Sequence, residues 1–431
     1  MSQELHVIND PDLISHVQRE RSNKDLEARA ITQRTGLVQR FFGDLIGQSK
    51  ETIEIMTQNL DEKSYEVCHR SDTHRLMSGG LGPTAHSTIQ LYRDTLAVIA
   101  QEIETMTMGS PECLDLSDWV RKVITLGTAV AFHGPGNPIS KSPELIPMLC
   151  ADVLKKRETL IDEYRKFFAE EANKRDSDKK YSEIIRDIKD LDTQYGFDED
   201  ATTRSAFALV SGVTSNSAPA TFWIITLVLC NPPLHARIMR ELKDAIVLER
   251  DEHGAGTPRL IFDIKMIKQK CPLLCATFYE VLRLKTTATV SLRVEKDFLL
   301  DGRYMLKKNA LIMMPNAALH IDPASWGADA REFRPERFLD SKQHLSASFR
   351  PFGAGYNICP GRHLAKDEII GTAAIVLFSF DMSPGGPSRG DGFRPPKAFG
   401  THVATTVTPS EAFKVKFTPR KELRGAKWSV V

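Results

Sequence analysis

The 431-residue chain lacks an excess of either charge: 57 Lys and Arg stand against 56 Asp and Glu, a formal net charge of +1. That balance excludes a strongly basic nucleic-acid binder. It also lacks a disulfide framework. Its seven cysteines (Cys68, Cys113, Cys150, Cys230, Cys271, Cys275 and Cys359) are odd in number and irregularly spaced, with no CxxC pair. Such usage suits a reducing compartment, and no zinc-type ligand spacing is present. Long hydrophobic runs are missing too: the longest, Phe222–Cys230 and Ile369–Phe380, fall short of the ~20 residues that span a bilayer. The polar opening MSQELHVINDPDLISHV has no signal-peptide core. What remains is the composition of a large folded protein, 41% hydrophobic and 26% charged.

The first two-thirds reads as helix. Asp10-Pro11-Asp12 followed by Leu13, Ile14 and Val17 marks a capped start with a 3.6-residue apolar rhythm. Thr84–Met106 and Ser117–Phe132 continue it. The densely charged stretch Ala151–Asp190 reads as a solvated helix pair, because its charges alternate at i,i+4 spacing. Thr203–Leu229, apolar nearly all round, predicts a helix buried in the middle of the protein. Short strands are expected at Thr289–Val294 and, after the turn Asp301-Gly302, at Tyr304–Met314. Asp322 to Ile358 is rich in Pro, Gly, Arg and Phe and reads as a long functional loop. A last helix, Arg362–Phe380, precedes the turn Pro384-Gly385-Gly386-Pro387 and hairpin-like strands. No linker divides the chain, so residues 1–431 are expected to form one domain.

The sharpest feature is the run from Phe352 to Arg362, FGAGYNICPGR, opening directly into the last helix. A cysteine just before a helix N-terminus meets unpaired N–H groups and the positive end of the dipole, which favour its thiolate. Gly353, Gly355 and Gly361 allow close backbone approach to a flat ligand, and Phe352 can shield the sulfur. Glu280-Val281-Leu282-Arg283 places two charges among Leu273, Phe278, Val281 and Leu282, where burial demands partners; Phe333-Arg334-Pro335-Glu336-Arg337-Phe338 offers one. Within the apolar helix, Ser211 to Trp223 holds small polar residues and Pro219, which frees the Ser215 carbonyl and should kink the helix.

These motifs together resemble the cytochrome P450 family. The Phe352–Gly361 run is similar to its heme-binding loop at every fixed position but one, Asn357, which stands where Arg or His usually contacts a heme propionate. The resemblance implies a mainly α fold with small β-sheets, a heme b cofactor, and Cys359 as its axial thiolate and metal ligand. Glu280, Arg283 and Arg337 would form the structural charged triad. Arg293 and His74, beside Arg75, match positions near the propionates, whereas His320 reads as a loop-fixing histidine.

The family's acid–alcohol pair has no carboxylate here. Aligning on Gly212 gives Thr214 and Ser215 that place; aligning on Pro219 gives it to Asn216. The latter is the better match, since Asn216 to Trp223 resembles the sterol 7-alpha-hydroxylase and prostacyclin synthase branch, whose fungal relatives also share a phrase like Phe132–Pro138. The resemblance implies a monooxygenase that takes O2, a lipophilic substrate (terpenoid, sterol or polyketide) and electrons from NADPH–cytochrome P450 reductase. A heme-thiolate isomerase or dehydratase, and a truncated non-catalytic heme protein, are the alternatives. It further implies that the N-terminal anchor and part of the first sheet are lacking, and that the region between Pro138 and Lys155 is short. The location would be the endoplasmic reticulum membrane by resemblance, or the cytoplasm if this start is genuine.

Overall fold

A computed structural model describes residues 4–20, 26–27, 72–143, 154–174, 180–250, 257–294, 296–339, 346–353, 355, 358–385, 392–398 and 406–431. Among these, ten helices of eight residues or more are numbered in chain order. They are α1 (Pro11–Glu20), α2 (72–80), α3 (His86–Met108), α4 (Leu116–His133), α5 (Leu154–Ala172), α6 (Glu183–Gln194), α7 (Glu199–Leu229), α8 (Pro232–Ala245), α9 (Pro272–Lys285) and α10 (Arg362–Ser379).

Local chemistry sets the helix ends. Asp10 Oδ1 accepts from the backbone N–H groups of Asp12 and Leu13, each at 2.9 Å, and so caps α1. Asp115 caps α4 through Ser117 N at 2.9 Å, while its second oxygen accepts from Phe413 N at 2.9 Å and ties the helix to the C-terminal sheet. The chain leaves α4 through Gly134 at φ +80°, the left-handed conformation that suits a residue without Cβ. Asp198 caps α7 on Ala201 N at 2.8 Å, with Glu199 and Asp200 in the first turn against the helix dipole.

α7 runs through the centre, packed on α4, α5, α9 and α10. From Thr221 to Leu229 every residue is buried. The charged segment does form a helix pair, α5 and α6. Its exposed faces are only half of it, since Leu160, Ile161, Tyr164, Phe168, Ile184 and Ile188 are buried against the core. Intervals of three and four within each helix put those apolar residues on one face.

A four-stranded sheet in the order β1-β9-β6-β2 is built from Leu5–Val7 (β1), Leu26–Glu27 (β2), Thr289–Val294 (β6) and Leu311–Pro315 (β9). β1 runs parallel to β9 with Leu5 opposite Leu311, and β6 runs antiparallel to β9 with Thr289 opposite Pro315. Ile8, Ile14, Val17, Leu292 and Ile312 form a second, smaller core beneath it. The strand expected over Tyr304–Met314 is broken in two. Tyr304–Leu306 (β8) pairs with Phe298–Leu300 (β7) across a tight turn with Asp301 at φ 53° and Gly302 at φ 65°, and β9 joins the larger sheet. Asn309, at φ 69°, turns the chain between them. Phe380–Pro384 (β10), Lys414–Pro419 (β11) and Glu112–Asp115 (β3) make an antiparallel sheet; Lys427–Val430 (β12) pairs with Arg259–Phe262 (β5), which pairs with Val247–Glu249 (β4).

Candidate heme site

The predicted charged pair is fully buried on α9. Arg283 Nε and NH2 donate to the two oxygens of Glu280, each at 2.7 Å, in a two-pronged contact. Arg283 NH1 also reaches the carbonyls of His320 at 2.6 Å and Ala330 at 2.5 Å. Arg334 N donates to Glu280 Oε1 at 2.9 Å, and Arg337 Nε lies 3.6 Å from the same oxygen. The charges of Glu280, Arg283 and Arg337 therefore meet, as the sequence implies.

From this cluster a relay of hydrogen bonds leads to the cysteine loop. The His320 ring accepts from Arg350 N at 2.9 Å on Nε2, so its proton sits on Nδ1. Burial lowers the pKa of this histidine to about 4 and keeps it neutral, as that bond requires. The Arg350 carbonyl accepts from Gly353 N at 3.1 Å and from Asn316 Nδ2 at 2.8 Å. Gly353 and Gly355 then take φ values of +74° and +64°, and Cys359 N returns to the Phe352 carbonyl at 2.9 Å. The two left-handed glycines and this bond bring the chain back on itself. Arg350 and Asn316 were not singled out from the sequence, because their roles depend on contacts with residues distant in the chain.

Cys359 sits at the mouth of α10, largely but not wholly buried. Arg362 NH1 bonds its carbonyl at 3.1 Å, and a Cβ on Gly361 would lie 3.9 Å from its sulfur. Burial pushes the thiol up from its ordinary range, against the Gly361 N–H and the Arg362 guanidinium, which both pull it down. The helix end thus acts in the expected direction, but desolvation outweighs it. A thiol held so is deprotonated by binding a metal, which favours the coordinating thiolate outright.

His74, on α2, donates from Nε2 to Ile358 O over 3.0 Å, next to the sulfur-bearing residue. Arg75 points outward to Asp72 at 2.8 Å. Arg293 lies on β6 opposite Leu311 and Glu27; its side chain, and the whole of Asn357, lie outside the described residues.

The central helix supplies a second observation. Between buried flanks, Gly212, Ser215 and Asn216 are exposed. Their i, i+3, i+4 spacing makes a single stripe, and a Cβ on Gly212 would meet nothing within 4 Å. Thr214 is off this stripe: it is buried, with its hydroxyl bonded to Val210 O at 2.9 Å. Asn216 Oδ1 accepts from Thr406 N at 3.0 Å. A backbone N–H can only donate, so the amide orientation is fixed and its NH2 faces the stripe, 3.4 Å from Ser215 Oγ. α7 stays helical through Pro219, which has no N–H to offer the Ser215 carbonyl. An exposed polar stripe on the central helix, and a cysteine at a helix mouth on a glycine turn, fit a flat, thiolate-ligated macrocycle.

The cytochrome P450 family model matches residues 2–406. The chain is 27% identical to the cytochrome P450 monooxygenase nodJ of Hypoxylon pulicicidum, over 98% of its own length and 82% of the relative's. It is 29% identical to the cholesterol 7-alpha-monooxygenase of Cricetulus griseus, over 47% of this chain and 42% of that one. A crystal structure of a cytochrome P450 (CYP102L1) superposes with a TM-score of 0.68 at 19% identity, covering 96% of this chain and 89% of the other.

Proposed function

The chain belongs to the cytochrome P450 family of heme-dependent monooxygenases, and from that premise we propose that it folds as a single domain and inserts one oxygen atom of O2 into a lipophilic small molecule of secondary metabolism. A terpenoid, sterol or polyketide intermediate is the substrate class. The setting of Cys359 carries this reading. Cys359 would hold the heme iron, and the loop from Phe352 to Gly361 would lie against the macrocycle. Bound there, a thiolate-ligated heme supplies oxygen activation.

The protein's own share is orientation. The triad of Glu280, Arg283 and Arg337 fixes the segment that carries Arg350 and so the height of the cysteine loop. His74 braces the same loop at Ile358. On the other side, Asn216 offers an N–H donor and Ser215 a hydroxyl, while the apolar flanks of α7 exclude water from the reacting region. Electrons would come from NADPH–cytochrome P450 reductase. Association with the endoplasmic reticulum membrane is proposed from the family; among the described residues no single helix is long and apolar enough to cross a membrane.

The test is the absorption spectrum of the reduced, carbon-monoxide-bound protein beside that of Cys359→Ser. The reading expects the thiolate-type band in the first and its loss in the second. Identical spectra overturn the assignment.

The fixed amide of Asn216 favours a second reading, since a hydrogen-bond donor without an acid suits a heme-thiolate isomerase or dehydratase that consumes no external protons. Turnover independent of NADPH and reductase would select it.

A further inference from the structure

The cysteine loop is also held from the N-terminal side of the molecule. Arg350, at its entry, is 6% exposed, and its backbone and side chain are bonded in different directions. Its N–H goes to the His320 ring and its carbonyl to Asn316 Nδ2, both in the short segment that follows β9. Its side chain reaches the other way: NH2 donates to Ser15 Oγ of α1 at 2.8 Å, and Nε donates to the Ala347 carbonyl. We propose that Ser15 is a positioning residue for the heme thiolate, setting through Arg350 where Cys359 stands. This rests on the heme-thiolate reading above.

Ser15 is suited to that contact. Its hydroxyl has one proton, which it donates to the Pro11 carbonyl one turn back at 2.8 Å. The lone pairs that remain can serve Arg350, whose guanidinium only donates. The helix carrying Ser15 is itself fixed. Ile14 and Val17 are buried in the second core with Leu292 of β6 and Ile312 of β9. Asp10 caps its first turn, and β1 before it pairs with β9. Asn316 and His320 follow β9 directly, so all three attachments of Arg350 refer to the same sheet.

The third attachment matters because two points leave a segment free to turn about the line joining them. Ser15 lies off the line through Asn316 and His320, on another element, and removes that rotation. From Arg350 onward the connection to the sulfur is short and stiff. Pro351 has a fixed φ, and the Phe352 carbonyl next to it accepts from Cys359 N at 2.9 Å. A turn of Arg350 is therefore passed to the residue that bears the thiolate.

Three variants test this in the purified holoenzyme. Ser15→Ala removes the acceptor and leaves a good helix former. Ser15→Thr restores a hydroxyl, and Ile14→Val loosens the same helix without touching that bond. Backbone hydrogen exchange is followed by mass spectrometry over residues 350–362, where Gly353 N and Cys359 N are protected by the Arg350 and Phe352 carbonyls. Ser15→Ala should exchange there about tenfold faster, the scale of losing a hydrogen bond to a charged group, while α7 keeps the parent's rate. The heme reduction potential should shift and the share of thiolate-type band in the reduced, carbon-monoxide-bound protein should fall. Ser15→Thr should restore all three, and Ile14→Val should leave potential and band at the parent's values. Parental exchange and potential in Ser15→Ala overturn the proposal. So does faster exchange with an unchanged potential and band, which would make the bond structural only, and so does an Ile14→Val protein that reproduces the shift. Should Ser15→Ala fail to fold, Arg350→Met keeps the backbone bonds, removes the side-chain donors and is read by the same measurements: a faster loop with a shifted potential supports the proposal, and parental values end it. A parent without the thiolate-type band instead overturns the heme reading, and the exchange comparison then still reports whether Ser15 holds the loop.

Discussion

Asn216 shows how one bond selects among roles that side-chain type leaves open. Its carbonyl is committed to Thr406 N, so what it offers the stripe is a donor. Asn216→Asp keeps that bond and removes the donor. The expected result is an unchanged reduced carbon-monoxide spectrum with product formation lowered about tenfold, measured once a substrate is in hand. Asn216→Leu removes the acceptor, leaves Thr406 N unsatisfied, and should cost about 1–3 kcal/mol in urea unfolding. Arg283 is more severe. Arg283→Ala abandons the Glu280 carboxylate in a fully buried place, which typically costs about 3–5 kcal/mol. The protein should lose heme on purification, because the tie that reaches Arg350 through His320 goes with it. Retention of full heme content would refute that linkage.

Among elements, the crossing of α3 and α4 is set by a single missing methyl group. A Cβ on Gly127 would come within 2.8 Å of the Thr95 carbonyl oxygen, a backbone atom that cannot rotate away. Gly127→Ala is expected to destabilise by about 1–3 kcal/mol, read as a lower urea midpoint with unchanged slope. Helix formation itself was legible from the sequence, since apolar periodicity and the cap at Asp10 depend on near neighbours. The strand expected over Tyr304–Met314 was misjudged because a local pattern of apolar residues does not say which sheet each half joins. Asn309 in the left-handed region, and the pairing of β9 with β1 and β6, make that choice.

For the molecule as a whole, buried titratable groups set opposing pH limits. His320 is lowered to about 4 and His133, bonded to Tyr164 at 3.0 Å in an aromatic cluster, to about 3, both by burial. Both are neutral in the fold but take up protons below their ordinary pKa of 6.5 when unfolded. The stability they lend is complete above pH 6.5 and is lost as pH falls toward 4. Glu368 has the opposite sign. Its pKa rises from 4.5 to about 7, so the fold loses stability as pH climbs through that interval, by up to about 1.4 kcal/mol per pH unit. Urea midpoints followed against pH should show Glu368→Gln gaining on the parent between pH 4.5 and 7. Equal slopes would mean that the carboxyl is already ionised in the fold.

The sequence by itself determined the sulfur, the glycines around it, the Glu280–Arg283 pair and the buried central helix. Each is written in contiguous residues or in a fixed short spacing, where local geometry decides the outcome. Only the tertiary structure decided that Asn216 and Ser215 line the open stripe while Thr214 turns away, that Arg350 and Asn316 connect the triad to the loop, and that Glu368 is buried against Thr128. A side chain's partner, orientation and proton affinity come from groups that meet only when distant elements pack.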